Sequence, residues 1–239
     1  MTILEIIFVL VAFLSNIIQT ITGFAGTALA MPFSIRLVGY DIARQILNFI
    51  PILVSLVVVV VNFKSINWKR LVYMLLFVGI GFGLGTSFQF LPLNKTFLMR
   101  VYGTIICLIA ITNLFIKIDA NKIPKIVFPF ILVVAGVIHA LYTSGGPLIV
   151  IFAASVITEK NEFRATLSLM WILFNSITFG INIAHGQFTP HVWMMTGIVT
   201  LTTILAMLIG KMIVKKINRE MFMKISYMLL FISGMFAVI

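Results

Sequence analysis

Long apolar segments follow one another along almost the whole chain, with only short polar connections between them. Of the 239 residues, 62% are hydrophobic and 10% are charged, and the mean hydropathy is +1.19. A helix needs about 20 apolar residues to cross the hydrocarbon core of a bilayer, and several of these segments have that length. Because the bilayer interior offers no water to pair with backbone N–H and C=O groups, such segments form helices. We therefore expect an all-α integral membrane protein.

The apolar segments number about eight and form two groups of four on either side of a polar linker. The linker, residues 117–125, predicts a boundary between an N-terminal transmembrane repeat (residues 1–116) and a C-terminal one (residues 126–239). The first and fifth segments are too long for one upright helix and are interrupted by glycine-containing motifs. The segments are Ile3–Leu37, Ala43–Val61, Leu71–Leu91, Phe97–Ile116, Ile126–Ile157, Phe163–Ile183, Val192–Ile213 and Met221–Val238.

An internal repeat is visible in the polar and glycine positions at an offset of 120 residues. Repeated membrane segments of this kind are typical of transporters, in which the two halves are either parallel or inverted. The matching pairs are Gln19 with His139, Thr22 with Tyr142, Gly26 with Gly146, Arg44 with Arg164, Asn48 with Ser168, and Asn62 with Asn182.

The distribution of basic residues favours inverted halves. If both interrupted segments cross the bilayer fully, eleven of the 17 Lys and Arg residues lie on one side; if they enter and return as broken hairpins, thirteen do. Cytoplasmic loops are enriched in Lys and Arg, so the second arrangement is favoured over parallel halves, with both termini outside the cytoplasm. The net charge of +11 comes from Lys and Arg residues in these loops, which set the topology and attract anionic lipid. No nucleic-acid partner is therefore expected.

The first interruption follows a helix face that carries amide and hydroxyl groups. Asn16, Gln19, Thr20 and Gly23 recur at steps of three and four residues, and Thr22 and Gly26 flank the break. One interpretation is that these groups contact a ligand. The alternative is that they satisfy contacts between helices and that the glycines ease packing.

The second interruption predicts a helix N-terminus inside the bilayer. Proline suits the first turn of a helix, Thr143 and Ser144 would cap that turn, and the two glycines would let the backbone approach a ligand. A helix N-terminus carries roughly half a positive charge and free N–H groups, which suits an anion. The candidate contacts here are His139, Tyr142, Thr143, Ser144, Gly145, Gly146 and Pro147. His139 would bind substrate or exchange a proton, or else be a hydrogen-bonded structural histidine.

Two arginines begin equivalent segments. Arg44 and Arg164 would supply charge to an oxyanion, or would anchor helix ends at the bilayer surface. Asn48, Ser168 and Asn175 lie further along the same helices and are also candidate substrate contacts, and Ser55 and Trp171 would line the path.

At these residues the sequence resembles the sulfite exporter TauE/SafE family of bacterial membrane permeases. The resemblance rests on Gln19–Phe33, Gly136–Phe152 and Phe163–Asn175, and length and segment pattern agree. It implies a multi-pass protein of the bacterial cytoplasmic membrane that transports, and exports in particular, a small sulfur anion such as sulfite, a sulfonate or sulfoacetate. The resemblance and the two interruptions together predict a substrate held near the midplane by two broken-helix ends.

Other functions have less support in the sequence. No nucleotide-binding, catalytic or metal-ligand motif is present, so a secondary transporter without a cofactor is expected rather than an enzyme. The alternatives are a membrane assembly protein that transports nothing and a transporter of another small organic anion. Glycines in the third segment would permit a homodimer.

A single cysteine placed in the linker, residues 117–125, tests the inverted arrangement. We expect it to be labelled from the cytoplasmic side only, because both broken segments then return to the side from which they enter. Labelling by an impermeant reagent from outside would exclude the inverted arrangement.

Overall fold

The computed structural model describes residues 1–89, 94–116, 124–214 and 219–238, and most of these residues are helical, with no strand among them. The described α-helices are α1 (Ile3–Thr22), α2 (Gly26–Val38), α3 (Tyr40–Asn62), α4 (Trp68–Gln89), α5 (Lys95–Ile111), α6 (Val127–Tyr142), α7 (Gly146–Val156), α8 (Lys160–Ala184), α9 (Pro190–Val214) and α10 (Arg219–Val238). A short 3-10 turn, Phe63–Ser65, follows α3, and a π-turn, Thr112–Ile116, follows α5.

Five of the described helices are long and apolar enough to cross a bilayer: α1, α3, α4, α8 and α9. The others, α2, α5, α6, α7 and α10, include shorter apolar stretches. The predicted all-α membrane class is therefore confirmed. Each of the two interrupted segments forms two helices, α1 and α2 in the first and α6 and α7 in the second. Most of the linker, at residues 117–123, lies outside the described residues.

Helices α3 and α8 pack side by side and run in opposite directions. Near the start of α3, Arg44 Nη1 donates to Asn182 Oδ1 at 3.2 Å, near the end of α8. Beyond the end of α3, the N–H of Asn67 donates to Thr166 Oγ1 at 3.0 Å, near the start of α8. These two contacts lie at opposite ends of the pair and define its antiparallel direction.

A side-chain cap outside the apolar segment starts α8. The carboxylate of Glu159 accepts the N–H of Glu162 at 2.6 Å. The backbone N–H groups of Asn161 and Glu162 hold the pKa of this carboxyl below its ordinary value, because they stabilise the charged form. The negative charge is also favourable at a helix N-terminus.

Helices α4 and α6 run in the same direction and approach closely through glycines. A Cβ atom added at Gly81 would lie 1.9 Å from the carbonyl oxygen of Val133, and one at Gly136 would lie 2.1 Å from that of Val78. Further along both helices, Gly85 faces Val137. Small residues in this pattern allow two helix backbones to touch.

Helices α1 and α9 form a second parallel pair. Glu5 Oε1 in the first turn of α1 lies 3.0 Å from His191 Nε2 in the first turn of α9. Near the ends of the same helices, Gly210 of α9 lies against Thr20 of α1. At the offset of 120 residues, α6 is the counterpart of α1, and α4 is the first-half counterpart of α9. The pairs α1–α9 and α6–α4 therefore correspond to each other at this offset, and the helices of each pair run in the same direction.

Helices α5 and α10 pack in opposite directions, as α3 and α8 do. Gly103 lies against Gly234 and Ala237, whereas Cys107, one turn later in α5, donates to the carbonyl of the earlier residue Phe231 at 3.7 Å. Each of these antiparallel pairs joins a helix from residues 1–116 with one from residues 126–239.

Replacing Gly81 with alanine tests the close packing of α4 on α6. The added methyl group would meet backbone atoms, so we expect destabilisation of about 1–3 kcal/mol and a Tm lower by about 2–10 °C. Gly83→Ala is the matched control on the same helix, because nothing lies within 4 Å of its Cβ position. Equal thermal unfolding of the two variants in detergent would contradict the close contact.

Candidate functional site

The first break separates α1 from α2 by three residues, 23–25. Gly23 has φ 83°, in the left-handed region that glycine adopts readily, and its N–H donates to the carbonyl of Gln19 at 2.7 Å. The glycine therefore ends α1 in a standard left-handed cap and turns the chain into α2.

The second break repeats this geometry 120 residues later. Thr143 has φ 52°, and its N–H donates to the carbonyl of His139 at 2.7 Å. Thr143 is the one non-glycine residue with positive φ in the part of the chain that the structure describes. A β-branched residue in this conformation costs about 1–2 kcal/mol.

The N-terminus of α2 is capped by side chains of α1. Thr22 Oγ1 accepts the N–H groups of Phe24 at 3.2 Å and Ala25 at 3.1 Å, and Gln19 Oε1 accepts that of Gly26 at 2.7 Å. Donors that would otherwise be available to a ligand at the first break are therefore already paired within the chain.

The N-terminus of α7 has no such cap. The hydroxyls of Thr143 and Ser144 donate to the carbonyl of Tyr142 at 2.7 and 2.8 Å and so pair the end of α6. The prediction that they cap α7 is wrong, because no side chain caps its first turn and Pro147 has no N–H there. The remaining first-turn N–H groups of α7 are available to a ligand, and the dipole favours a negative one.

A small cavity lies between the two breaks. Its volume, measured as space open to the centre of a water molecule, is about 10 Å³, which is room for about one water. Residues from α1, α2, α3, α6, α7 and α8 and from both breaks surround it: Gln19, Phe24, Thr27, Pro51, His139, Thr143, Gly146, Trp171 and Asn175.

The His139 side chain is 1% exposed and has an aromatic surround. Its ring stacks on Trp171 with centroids 5.2 Å apart, and Phe82 and Phe174 lie at 6.2 and 6.1 Å. Neither ring nitrogen makes a hydrogen bond of normal geometry, although the Asn175 side chain lies near enough to act on the ring. An unpaired polar atom at such a depth is costly, so this ring is a strong candidate for contact with a ligand.

The two arginines hold the ends of the broken helices. Arg44 Nη2 donates to the carbonyl of Ala140 at 3.0 Å, and Arg164 Nη2 donates to that of Thr20 at 3.0 Å. The two arginines are 120 residues apart in the sequence, and so are the two carbonyls that accept from them. A cation is favourable at the C-terminus of a helix, so these side chains stabilise α6 and α1. Arg44 is 5% exposed, so its side chain is buried among the helices.

Several predicted site residues make local contacts and do not line the cavity. Asn16 and Thr20 donate to carbonyls one turn earlier in α1, both at 2.8 Å. Tyr142 stacks on Tyr102 of α5 with centroids 4.5 Å apart. Ser144 and Pro147 line a second small pocket beside Tyr102.

Five of the predicted site residues therefore line the cavity: Gln19, His139, Thr143, Gly146 and Asn175. Asn48 supports one of them, because its side chain donates to the carbonyl of Asn175 at 3.0 Å. The remaining candidates do not line it: Asn16, Thr20, Thr22, Gly23, Gly26, Arg44, Tyr142, Ser144, Gly145, Pro147, Arg164 and Ser168.

Sequence reasoning missed three cavity residues, Phe24, Thr27 and Pro51. Phe24 and Thr27 lie within the first motif, so their position was a usable signal, whereas Pro51 carries no polar group that would single it out. Trp171 lines the cavity and donates its indole N–H to the carbonyl of Gly23 at 3.1 Å, but Ser55 does not line it. Among the described residues, no group of three His, Cys, Asp or Glu side chains forms a metal site.

Replacing Thr143 with glycine tests whether backbone strain is stored at the second break. We expect stabilisation of about 1 kcal/mol and a Tm higher by about 2–4 °C, because glycine adopts positive φ without the Cβ conflict. Thr143→Ser is the control, because it keeps both the positive φ and the hydroxyl that donates to the carbonyl of Tyr142. A lower Tm for the glycine variant would show that the hydroxyl bond to Tyr142 outweighs any strain.

The sequence was compared with known protein families, with curated proteins and with solved structures. The family profile described as Sulfite exporter TauE/SafE matches residues 8–237. Neither a curated protein nor a solved structure matches significantly. The match covers all ten described helices in whole or in part and includes both breaks, and the family is one of membrane transporters. The chain belongs to the sulfite exporter TauE/SafE family.

Proposed function

We propose that this protein is a secondary transporter that exports a small sulfur-containing anion, such as sulfite, a sulfonate or sulfoacetate, across the bacterial cytoplasmic membrane. The observation that carries the proposal is the uncapped N-terminus of α7 beside the buried, unpaired ring of His139. A ligand between them would meet N–H donors and a positive dipole end in a site surrounded by both halves of the chain.

The transport architecture would be an inverted repeat. Equivalent helices α3 and α8 run antiparallel, as do α5 and α10, and this is what a two-fold axis in the membrane plane produces. The parallel pairs α1–α9 and α6–α4 fit the same axis. Because α9 returns antiparallel to α8, α1 and α3 point the same way, and α1 with α2 would form a hairpin that enters and returns.

This arrangement would also orient the protein. The end of the bundle reached by the end of α3 and the start of α8 carries Lys64, Lys69, Arg70 and Lys160, whereas Arg36 lies at the other end. Counted over the whole sequence, the division is thirteen Lys and Arg residues against four. The positive-inside rule then places the richer end in the cytoplasm and both termini outside.

Substrate binding would require the two halves to separate. The cavity holds about one water, and a sulfite ion, with three oxygens around sulfur, needs more room. Cavity residues come from helices of both halves, so a rocking of one half against the other would widen it. The structure therefore fits a closed stage of alternating access, in which the site is opened to each side in turn.

The roles of the arginines follow from their contacts. Each holds the C-terminal end of the helix that precedes a break, and so keeps the break in place. We propose that Arg44 and Arg164 also supply positive charge at a distance, with hydrogen bonds to the anion provided by α7 and Gln19. A homodimer is compatible with this proposal but is not required, because both breaks come from one chain.

Proteoliposomes that contain the purified protein test the proposed function. We expect uptake of labelled sulfite or sulfoacetate down an imposed gradient, and we expect Gly146→Ala to reduce this uptake by about tenfold or more, because a misplaced binding group is costly. A Cβ atom at Gly146 would lie 2.7 Å from the carbonyl oxygen of Phe24 and would displace the first turn of α7. Gly83→Ala is the control that leaves transport unchanged.

The same protein in detergent gives an independent readout. A ligand present at about 100 times its Kd stabilises the folded state by about 2.7 kcal/mol, so sulfur oxyanions should raise the Tm more than carboxylates or phosphate do. If no sulfur oxyanion gives either flux or a thermal shift, at any pH gradient, the protein does not have this function and a membrane assembly role is favoured.

A further inference from the structure

We propose that the cavity selects a singly charged oxyanion that carries a proton, with His139 as the acceptor of that proton. This inference rests on the proposed function and narrows its substrate: bisulfite would bind in preference to the sulfite dianion and also to a sulfonate group, which carries no proton at neutral pH. It is argued from the charge of the cavity wall, the hydrogen-bonding capacity of His139 and the surroundings of the two arginines.

Among the residues that the structure describes, no Lys, Arg, Asp or Glu side chain lines the cavity. Its wall consists of Gln19, Phe24, Thr27, Pro51, His139, Thr143, Gly146, Trp171 and Asn175. The positive end of α7 contributes roughly half a charge at its first turn. This is suited to one negative charge, because burying a second one without a partner is costly.

The nearby arginines add only part of their positive charge to the cavity. Arg44 acts on His139 through space, but its guanidinium is bonded to the carbonyl of Ala140 and the side chain of Asn182. Arg164 is bonded to the carbonyl of Thr20. Both charges therefore lie against the negative ends of helices and are partly balanced there.

The cavity wall also offers an acceptor, which a fully deprotonated anion cannot use. In its neutral form an imidazole has one N–H donor and one bare nitrogen that accepts. If the N–H is directed at Asn175 Oδ1, which has no hydrogen bond of normal geometry, the other nitrogen is left for the ligand. An O–H on the substrate would satisfy that nitrogen, whereas a bare oxygen would face it lone pair to lone pair.

The donors for the remaining oxygens are set by the fold. Gln19 Oε1 is occupied by the N–H of Gly26, so the amide of Gln19 presents its NH₂ group as the free side. The first turn of α7 adds backbone N–H groups. The site thus combines donors for charged oxygens with one acceptor for a hydroxyl.

Other titratable groups surround His139 and enter any interpretation of a pH effect. Helix α3 contributes Tyr40, Asp41 and Arg44, α5 contributes Tyr102, α6 contributes Tyr142 and α8 contributes Arg164. Helix α7 contains none, and the titratable groups of α1, α2 and α4, which are Glu5, Arg36, Lys69, Arg70 and Tyr73, lie toward helix ends away from the breaks. A direct test must therefore separate protonation of the ligand from protonation of the protein.

Chlorate provides this separation. It has the pyramidal shape and electron count of sulfite, but it has a single charge and no proton across the whole working pH range. The experiment measures the affinity of the purified protein for sulfite, chlorate and sulfate from pH 5.5 to 8.5 by thermal shift and calorimetry. Sulfite changes from bisulfite to the dianion within this range, since its second ionisation is close to neutrality.

We expect sulfite affinity to fall about tenfold for each pH unit above this ionisation, because only the protonated form binds. Chlorate should bind at least about tenfold more weakly than bisulfite and should show no pH dependence, and sulfate should not bind. Sulfite affinity that is constant or rises with pH, or chlorate affinity equal to that of bisulfite, would overturn the inference. Chlorate affinity that rises together with sulfite at low pH would overturn it as well, by assigning the effect to the protein.

Variants at His139 and Asn175 test the acceptor itself. His139→Phe keeps the stacking on Trp171 and removes both nitrogens, so bisulfite affinity should fall to that of chlorate while chlorate affinity stays the same. Asn175→Leu should have the same effect through loss of the ring orientation. Thr178→Ala, on α8 one turn after Asn175, is the control, because Thr178 is buried and does not line the cavity.

The outcomes also distinguish the two proposals. Binding of the sulfite dianion or of sulfate would overturn the selection for a protonated anion and leave sulfur-anion transport intact. Absence of binding by every sulfur oxyanion at every pH would overturn both.

Discussion

The pairing of backbone groups at two interruptions is the constraint on which the rest of this structure depends. In hydrocarbon an unpaired N–H or C=O costs several kcal/mol, so a helix that stops inside the bilayer needs partners for its end. Arg164 and Trp171 pair carbonyls at the end of α1 and the first break, and Arg44 and Tyr40 pair carbonyls at the end of α6. Side chains of α3 and α8 therefore stabilise the two breaks, and these two helices pack on each other.

The backbone geometry is the same at the two breaks, but the side chains around them differ chemically. Both helices end in a left-handed cap at an offset of 120 residues, with glycine at the first and threonine at the second. At the first, Gln19 and Thr22 pair the N-terminus of α2; at the equivalent places in the second stand His139 and Tyr142, and α7 remains uncapped. The N-terminus of α2 is therefore already paired within the chain, whereas the N-terminus of α7 has no side-chain cap.

Much of the fold was predictable because its causes are local. Apolar segment length predicts helices, the glycine and proline motifs predict where Ile3–Leu37 and Ile126–Ile157 break, and the recurrence of Arg44 and Arg164 predicts equivalent helices. The site was predicted less completely. Gln19, His139 and Asn175 carry polar groups where apolar ones are usual, and so they stand out, whereas Pro51 of α3 also lines the cavity but carries no polar group.

The sequence by itself determined the membrane class, the positions of the two interruptions and the residue types around them, since hydropathy and the conformational limits of glycine and proline act over a few residues. Only the tertiary structure decided which N–H groups are already paired, because caps such as Gln19 to Gly26 span the break and depend on how the chain turns. It also decided that Thr143 and Ser144 pair α6 rather than α7. Hydrogen bonds between helices are set by packing direction, which no local pattern contains.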